Sequence, residues 1–149
     1  MPVHSSWRSL LRSRGRQTRV IIGTMSEFVL GMQGEAARTV TEEMTAERLG
    51  SGSVPVFGTP ALLALIEDAS VAAVSTVLSD GMTTVGIWVE LEHLAPSRVG
   101  ARVRASASLS SVDGRTLEFA CEAYEGDTLI GRARHRRAVV DLEKFLART

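Results

Sequence analysis

Cysteine is almost missing from this chain, with Cys121 the only one in 149 residues. One thiol excludes an internal disulfide and any multi-cysteine metal site, and it suits a reducing compartment, so a cytoplasmic protein is expected. Aromatic residues make up only 5%, so the core has to rest on Val, Leu, Ile and Ala. No apolar run reaches the roughly 20 residues of a membrane-spanning helix. The sequence also lacks a G-x-G-x-x-G or P-loop motif and any internal repeat, which removes the usual nucleotide-binding signatures. Net charge is absent as well, with 17 basic residues against 17 acidic ones.

That zero hides an uneven distribution. Arg8, Arg12, Arg14, Arg16 and Arg19 lie in the first 26 residues, which hold no acid, so the remainder carries about −5. An acidic body argues against general nucleic-acid binding, which needs a basic footprint. The head is Arg- and Ser-rich, as transit peptides are. The plainer reading is an unstructured extension, with Met25 and Met32 as later starts. Residues 1–33 are therefore expected to be a basic, disordered extension, and residues 34–149 one domain with a real core.

What is present is a regular pattern of elements. "EAARTVTEEMTAERL" reads as a strand leading into a turn, and "GSGS" at 50–53 as a flexible loop. Thr59 followed by Pro60 predicts a helix start with Thr59 as its cap, running to about Ser79. Apolar residues lie nearly all round this helix, which predicts that other structure wraps it. Four segments of period two follow. In "TTVGIWVELEH" the pattern sets Val85, Ile87, Val89, Leu91 and His93 on one face, against Thr84, Gly86, Trp88, Glu90 and Glu92. In the last segment Arg132, Arg134 and Arg136 oppose Ala133, His135 and Arg137. The turns "APSRVG", "VDGR" and "EGD" make these strands antiparallel neighbours. The inventory predicts an α+β fold, a curved antiparallel sheet of about five strands around one central helix.

Three residues stand out chemically. Thr59 lies at a helix N-terminus, where free amides and the dipole favour developing negative charge. Glu67 lies within an apolar helix, where an unpaired carboxylate is costly, so it is expected either to be paired or to have its pKa raised. His93 ends the apolar side of its strand, at the edge of a core that also holds that carboxylate. Each has a purely structural alternative: a cap, a buried ion pair, a core histidine. Thr59 and Glu67 are separated by about 12 Å along the helix and rotated by roughly 80°, so they cannot meet within one helix. Either a substrate spans the gap or a second subunit brings one residue beside the other, as a symmetric dimer would. The arginines at 132–137 read as a solvated strand or as a patch for an anionic carrier such as coenzyme A. Gly86 marks strand irregularity or close approach of a ligand. His135 and Cys121 read as structural.

Taken together, "FGTPALLALIE", "TTVGIWVELEHLAPSRVG", "VDGRTLEF" and "RHRRAVVDLEKF" resemble the hotdog-fold thioesterases, and among them the fluoroacetyl-CoA-thioesterase-like family. The resemblance covers about residues 34–146. It implies a homodimer, or a dimer of dimers, that hydrolyses acyl-CoA thioesters with no metal or redox cofactor, coenzyme A entering only as part of the substrate. It implies Thr59, Glu67 and His93 as catalytic residues and Gly86 and Arg137 as substrate contacts, with Phe57 retained beside the site. The fluoroacetyl-specific members place aromatic lid residues before the helix, where this chain has "GSGS", so the acyl group stays open. The expected activity is hydrolysis of a small or short-chain acyl-CoA. A non-hydrolytic thioester-binding protein is the alternative, and a hotdog enoyl-CoA hydratase or dehydratase a further one.

Overall fold

The computed structural model describes residues 18–22 and 26–149. The expectation of disorder over residues 1–33 lies outside them at 1–17 and 23–25. A small antiparallel pair, β1 (Arg19–Ile22) and β2 (Ser26–Val29), precedes the main sheet. The packed region begins before Gly34, because Ser26 and Phe28 of β2 are buried and Phe28 joins the core.

The main sheet holds β3 (Gln33–Thr39), β4 (Met82–His93), β5 (Arg102–Asp113), β6 (Thr116–Glu125) and β7 (Thr128–Asp141). Their order is β3-β5-β6-β7-β4, antiparallel throughout. The short helix α1 (Ala46–Leu49) and the long helix α2 (Thr59–Val74) lie between β3 and β4, and α3 (Leu142–Leu146) ends the chain. Period-two alternation is clean in β5 and β6. Val103, Ala105, Ala107 and Leu109 pack inward with Leu117, Phe119, Cys121 and Ala123, and their neighbours turn outward.

Helix α2 lies against this inner face. Its buried stripe is Leu62, Leu65, Ile66, Ala69, Ser70, Ala73 and Val74, the spacing of one helical face. The expected wrapping on all sides is not seen: the sheet covers one side, and Ala64, Val71 and Ala72 stay exposed. Contact is closest where β3 crosses the helix. A Cβ on Gly34 would sit 2.2 Å from the Ala73 nitrogen and 2.3 Å from the Ala69 oxygen, so only glycine fits there. The helix also ends earlier than expected. After Val74 the backbone closes a tighter turn, Val77 N–H to Val74 C=O, while the Ser75 hydroxyl bonds the Ala72 carbonyl and competes with helix continuation.

In β4 the expected faces hold for only half the strand. The register against β7 slips between Gly86 and Trp88, leaving Ile87 as the extra residue of a bulge. Side chains before and after the bulge therefore fall out of phase. Thr84 and Gly86 share the inner side with Val89, Leu91 and His93, and Ile87 is left 53% exposed. A one-residue slip moves a side chain to the other face, and here it turns Thr84 and Gly86 toward α2.

Candidate active site

The start of α2 differs from the expected capping arrangement. Gly58, extended at φ −77° and ψ 148°, occupies the cap position, and its carbonyl accepts the Leu62 N–H at 3.0 Å. Thr59 is the first helical residue, and no side chain caps this end. Its hydroxyl instead lies 2.9 Å from Nδ1 of His93, at the far end of β4. Pro60 has no N–H, so the first turn leaves the Thr59 and Ala61 amides without an acceptor inside the helix. Burial lowers the His93 pKa below its ordinary 6.5, offset in part by the Ala95 backbone. The ring is therefore neutral at pH 7, and its Nε2 is buried with no hydrogen-bond partner.

Two turns further along α2 lies a second group. Glu67 Oε2 accepts from Arg137 Nη1 at 2.8 Å and lies 3.6 Å from His135 Nε2. Gly86 makes room for this carboxylate, because a Cβ there would meet Oε2 at 2.6 Å. Arg137 is buried and held on several sides: Nε donates to Thr84 Oγ1 at 2.9 Å and Nη2 to the Thr84 carbonyl at 3.0 Å. Its Nη1 also lies 3.1 Å from His135 Nε2. His135 Nδ1 is 2.9 Å from the Trp88 carbonyl, to which it donates. Burial pushes the His135 pKa down; the Trp88 carbonyl opposes this, Arg137 adds to it, and Glu67 opposes it.

The candidate residues thus fall into two sets within one chain. Thr59 and His93 meet, and so do Glu67, Gly86 and Arg137. No hydrogen bond or ion pair joins the sets among the described residues. Phe57 is 1% exposed and packs in the core. Arg137 is engaged with protein groups and turns inward. The outward arginines are paired as well: Arg132 with Glu92, and Arg134 and Arg136 with Glu118, above the Trp88 ring. Burial raises the Glu118 pKa, but the two guanidiniums outweigh it and hold the carboxyl below its usual range. That face is the solvated, self-neutralised strand rather than an open phosphate patch. Sequence reasoning missed His135 as a site neighbour. Its signal was the inward parity it shares with Arg137.

Comparison with known proteins fits this architecture. The sequence profile of the fluoroacetyl-CoA-specific thioesterases matches residues 40–143. The chain belongs to that family. A fluoroacetyl-CoA thioesterase of Streptantibioticus cattleyicolor is 38% identical over 93 residues, 62% of this chain and 67% of that protein. A solved structure of a fluoroacetyl-CoA thioesterase superposes with TM-score 0.74 at 31% identity, covering 80% of this chain and 93% of its own. A Thermus thermophilus member of the thioesterase superfamily gives TM-score 0.73 at 31% identity, over 79% of this chain and 88% of its own. The five-stranded sheet curled against α2 is the hotdog fold of these family structures.

Proposed function

We propose that this protein hydrolyses a small or short-chain acyl-CoA thioester to the free acid and coenzyme A. The observation that carries the reading is the 2.9 Å contact between the Thr59 hydroxyl and His93 Nδ1, at a helix start that the hydroxyl does not cap. A neutral His93 with its proton on Nε2 accepts the Thr59 proton as Oγ1 attacks the thioester carbonyl. The oxyanion forms beside the amides of the first turn of α2. Collapse breaks the C–S bond, the His93 proton goes to the departing thiolate, and an acyl ester remains on Thr59. Water then cleaves that ester, regenerating Thr59 and releasing the acid.

Glu67 fits the role of activating this water better than that of orienting His93. Within the chain it makes no hydrogen bond or ion pair with His93, whose second ring nitrogen is already buried. A homodimer supplies the missing approach. Strand β4 stands last in the sheet order, with one edge unpaired among the described residues, an edge that a second copy can pair with. A twofold axis at Glu90 would set Leu91 of one antiparallel strand opposite Val89 of the other and, with Ile87 skipped as the bulge residue, His93 opposite Gly86. Gly86 is the residue against which Glu67 rests. Each site would then join Thr59 and His93 of one subunit to the partner's Glu67. The chemistry draws on these side chains alone. A lone buried thiol such as Cys121, its pKa raised to about 11 by burial, suits a reducing cytoplasm.

The test is a panel of short and medium acyl-CoAs, including acetyl-CoA and fluoroacetyl-CoA, read by thiol release. Turnover of at least one member, lost in His93→Ala, supports the reading. Saturable binding without thiol release would instead establish the non-hydrolytic alternative, and hydration of crotonyl-CoA would favour a hydratase.

A further inference from the structure

All the polar contacts to Glu67 fall on one oxygen. Arg137 and His135 approach Oε2, as does the space left by Gly86, while Oε1 has no protein partner among the described residues and the side chain is 38% exposed. One oxygen is anchored and the other faces outward. The anchor is itself fixed: four contacts, to Thr84 Oγ1, Thr84 O, Glu67 and His135, engage the planar fork of Arg137. The fork cannot rotate without breaking several of them together.

His135 occupies an unusual place in this set. A histidine beside an arginine would ordinarily be repelled if it carried charge. Here Nδ1 donates to the Trp88 carbonyl, so a neutral ring leaves Nε2 bare, as an acceptor for the second N–H of Arg137 Nη1. That carbonyl follows directly on the β4 bulge, which restores the register at Trp88 and sets Val89 opposite His135.

We propose that His135 is a positioning residue for Glu67, acting through Arg137: its bare Nε2 accepts a hydrogen bond from one Nη1 N–H, which leaves the other N–H for Oε2 and so aims Oε1 at the reacting water. The inference rests on the reading of Glu67 as the water-activating group. The charged neighbours of His135 are Glu67 from α2 and Arg137 from β7, while β4 contributes only the Trp88 carbonyl. The bulge and the buried imidazole thereby become parts of the site rather than of the core.

Two substitutions separate this role from simple packing. His135→Gln keeps a polar acceptor near the Nε2 position and loses the donor to Trp88. His135→Asn keeps a donor near the Nδ1 position and loses the acceptor for Arg137. The expected result is kcat within about 3-fold of wild type for His135→Gln and about 10-fold or more below it for His135→Asn, with KM of both changed less than about 3-fold. The reverse order, or equal losses in both, would overturn the assignment. A second measurement needs neither turnover nor a folded variant: long-range 1H–15N spectra of the wild-type histidines at pH 7. The proposal requires the Nδ1–H tautomer for His135, and an Nε2–H tautomer or a protonated ring would refute it. A wild type that hydrolyses no acyl-CoA would defeat the functional reading, and the tautomer would still decide the hydrogen-bond assignment.

Discussion

Gly86→Ala tests the site with little disturbance to the fold. The added Cβ would lie 2.6 Å from Glu67 Oε2, whereas ordinary contact begins near 3.4 Å. The oxygen must therefore retreat by roughly 0.8 Å, the difference of those two distances. It cannot do so freely, because its 2.8 Å bond to Arg137 Nη1 points back to a buried, multiply held guanidinium. A misplacement near 1 Å in a catalytic group costs about 10²-fold in rate. The strain falls on one side-chain ion pair and not on backbone, and alanine in a strand regains about 0.5–1 kcal/mol over glycine, which offsets part of it. We expect kcat on the best acyl-CoA to fall about 10²-fold, with the melting temperature within about 4 °C of wild type. A folded variant that keeps kcat within about 3-fold would show that the placement of Glu67 does not matter to turnover.

Gly34→Ala is the opposite case, because its Cβ would meet α2 backbone at 2.2 and 2.3 Å. A loss of about 3 kcal/mol or more in urea unfolding is expected, and an unchanged midpoint would contradict the close crossing. Thr59→Ala should lower kcat by about 10²-fold or more, yet cost less stability than the ~1 kcal/mol of a lost cap, because Gly58 holds that position. A full capping loss in thermal unfolding would restore Thr59 as the cap. Burial lowers the pKa of both His93 and His135 from 6.5. The unfolded chain therefore binds more protons, so this part of the stability is complete above about pH 6.5 and is lost as pH falls toward the lowered values. Urea midpoints from pH 5 to 8 should decline on the acid side, and the acid limb of kcat/KM due to His93 should lie below 6.5. A limb centred above 6.5 would contradict a buried neutral base.

Much of this architecture was legible in the chain because alternation and helix spacing report burial directly. In β5 and β6 each inward residue was readable, as no bulge disturbs the inward run from Val103 to Leu109 or from Leu117 to Ala123. The β4 faces were not, because a bulge adds one residue without a compositional mark beyond Gly86 itself. Thr59 was readable as the start of α2, but Gly58 took the cap because its extended backbone needs no side chain there. That freed the hydroxyl for a histidine 34 positions away. Long-range partners of this kind leave no local pattern. For the same reason His135 read as an ordinary core residue, and the burial of Phe28 was hidden behind a basic head. The surroundings of Glu67 were half legible: the cost of an unpaired carboxylate called for a partner or a raised pKa, and the partner is Arg137, 70 positions on.

The proposed site joins two sets of residues that a single chain holds apart, and mixing subunits tests this most directly. Thr59→Ala and Glu67→Gln proteins, each inactive alone, would be unfolded together, refolded and assayed for thiol release from the best acyl-CoA. If each site pairs Thr59 and His93 of one subunit with the partner's Glu67, half the dimers are mixed and each carries one intact site. Activity should then return to about a quarter of wild type. Mixed dimers that stay as inactive as their parents would contradict the shared site.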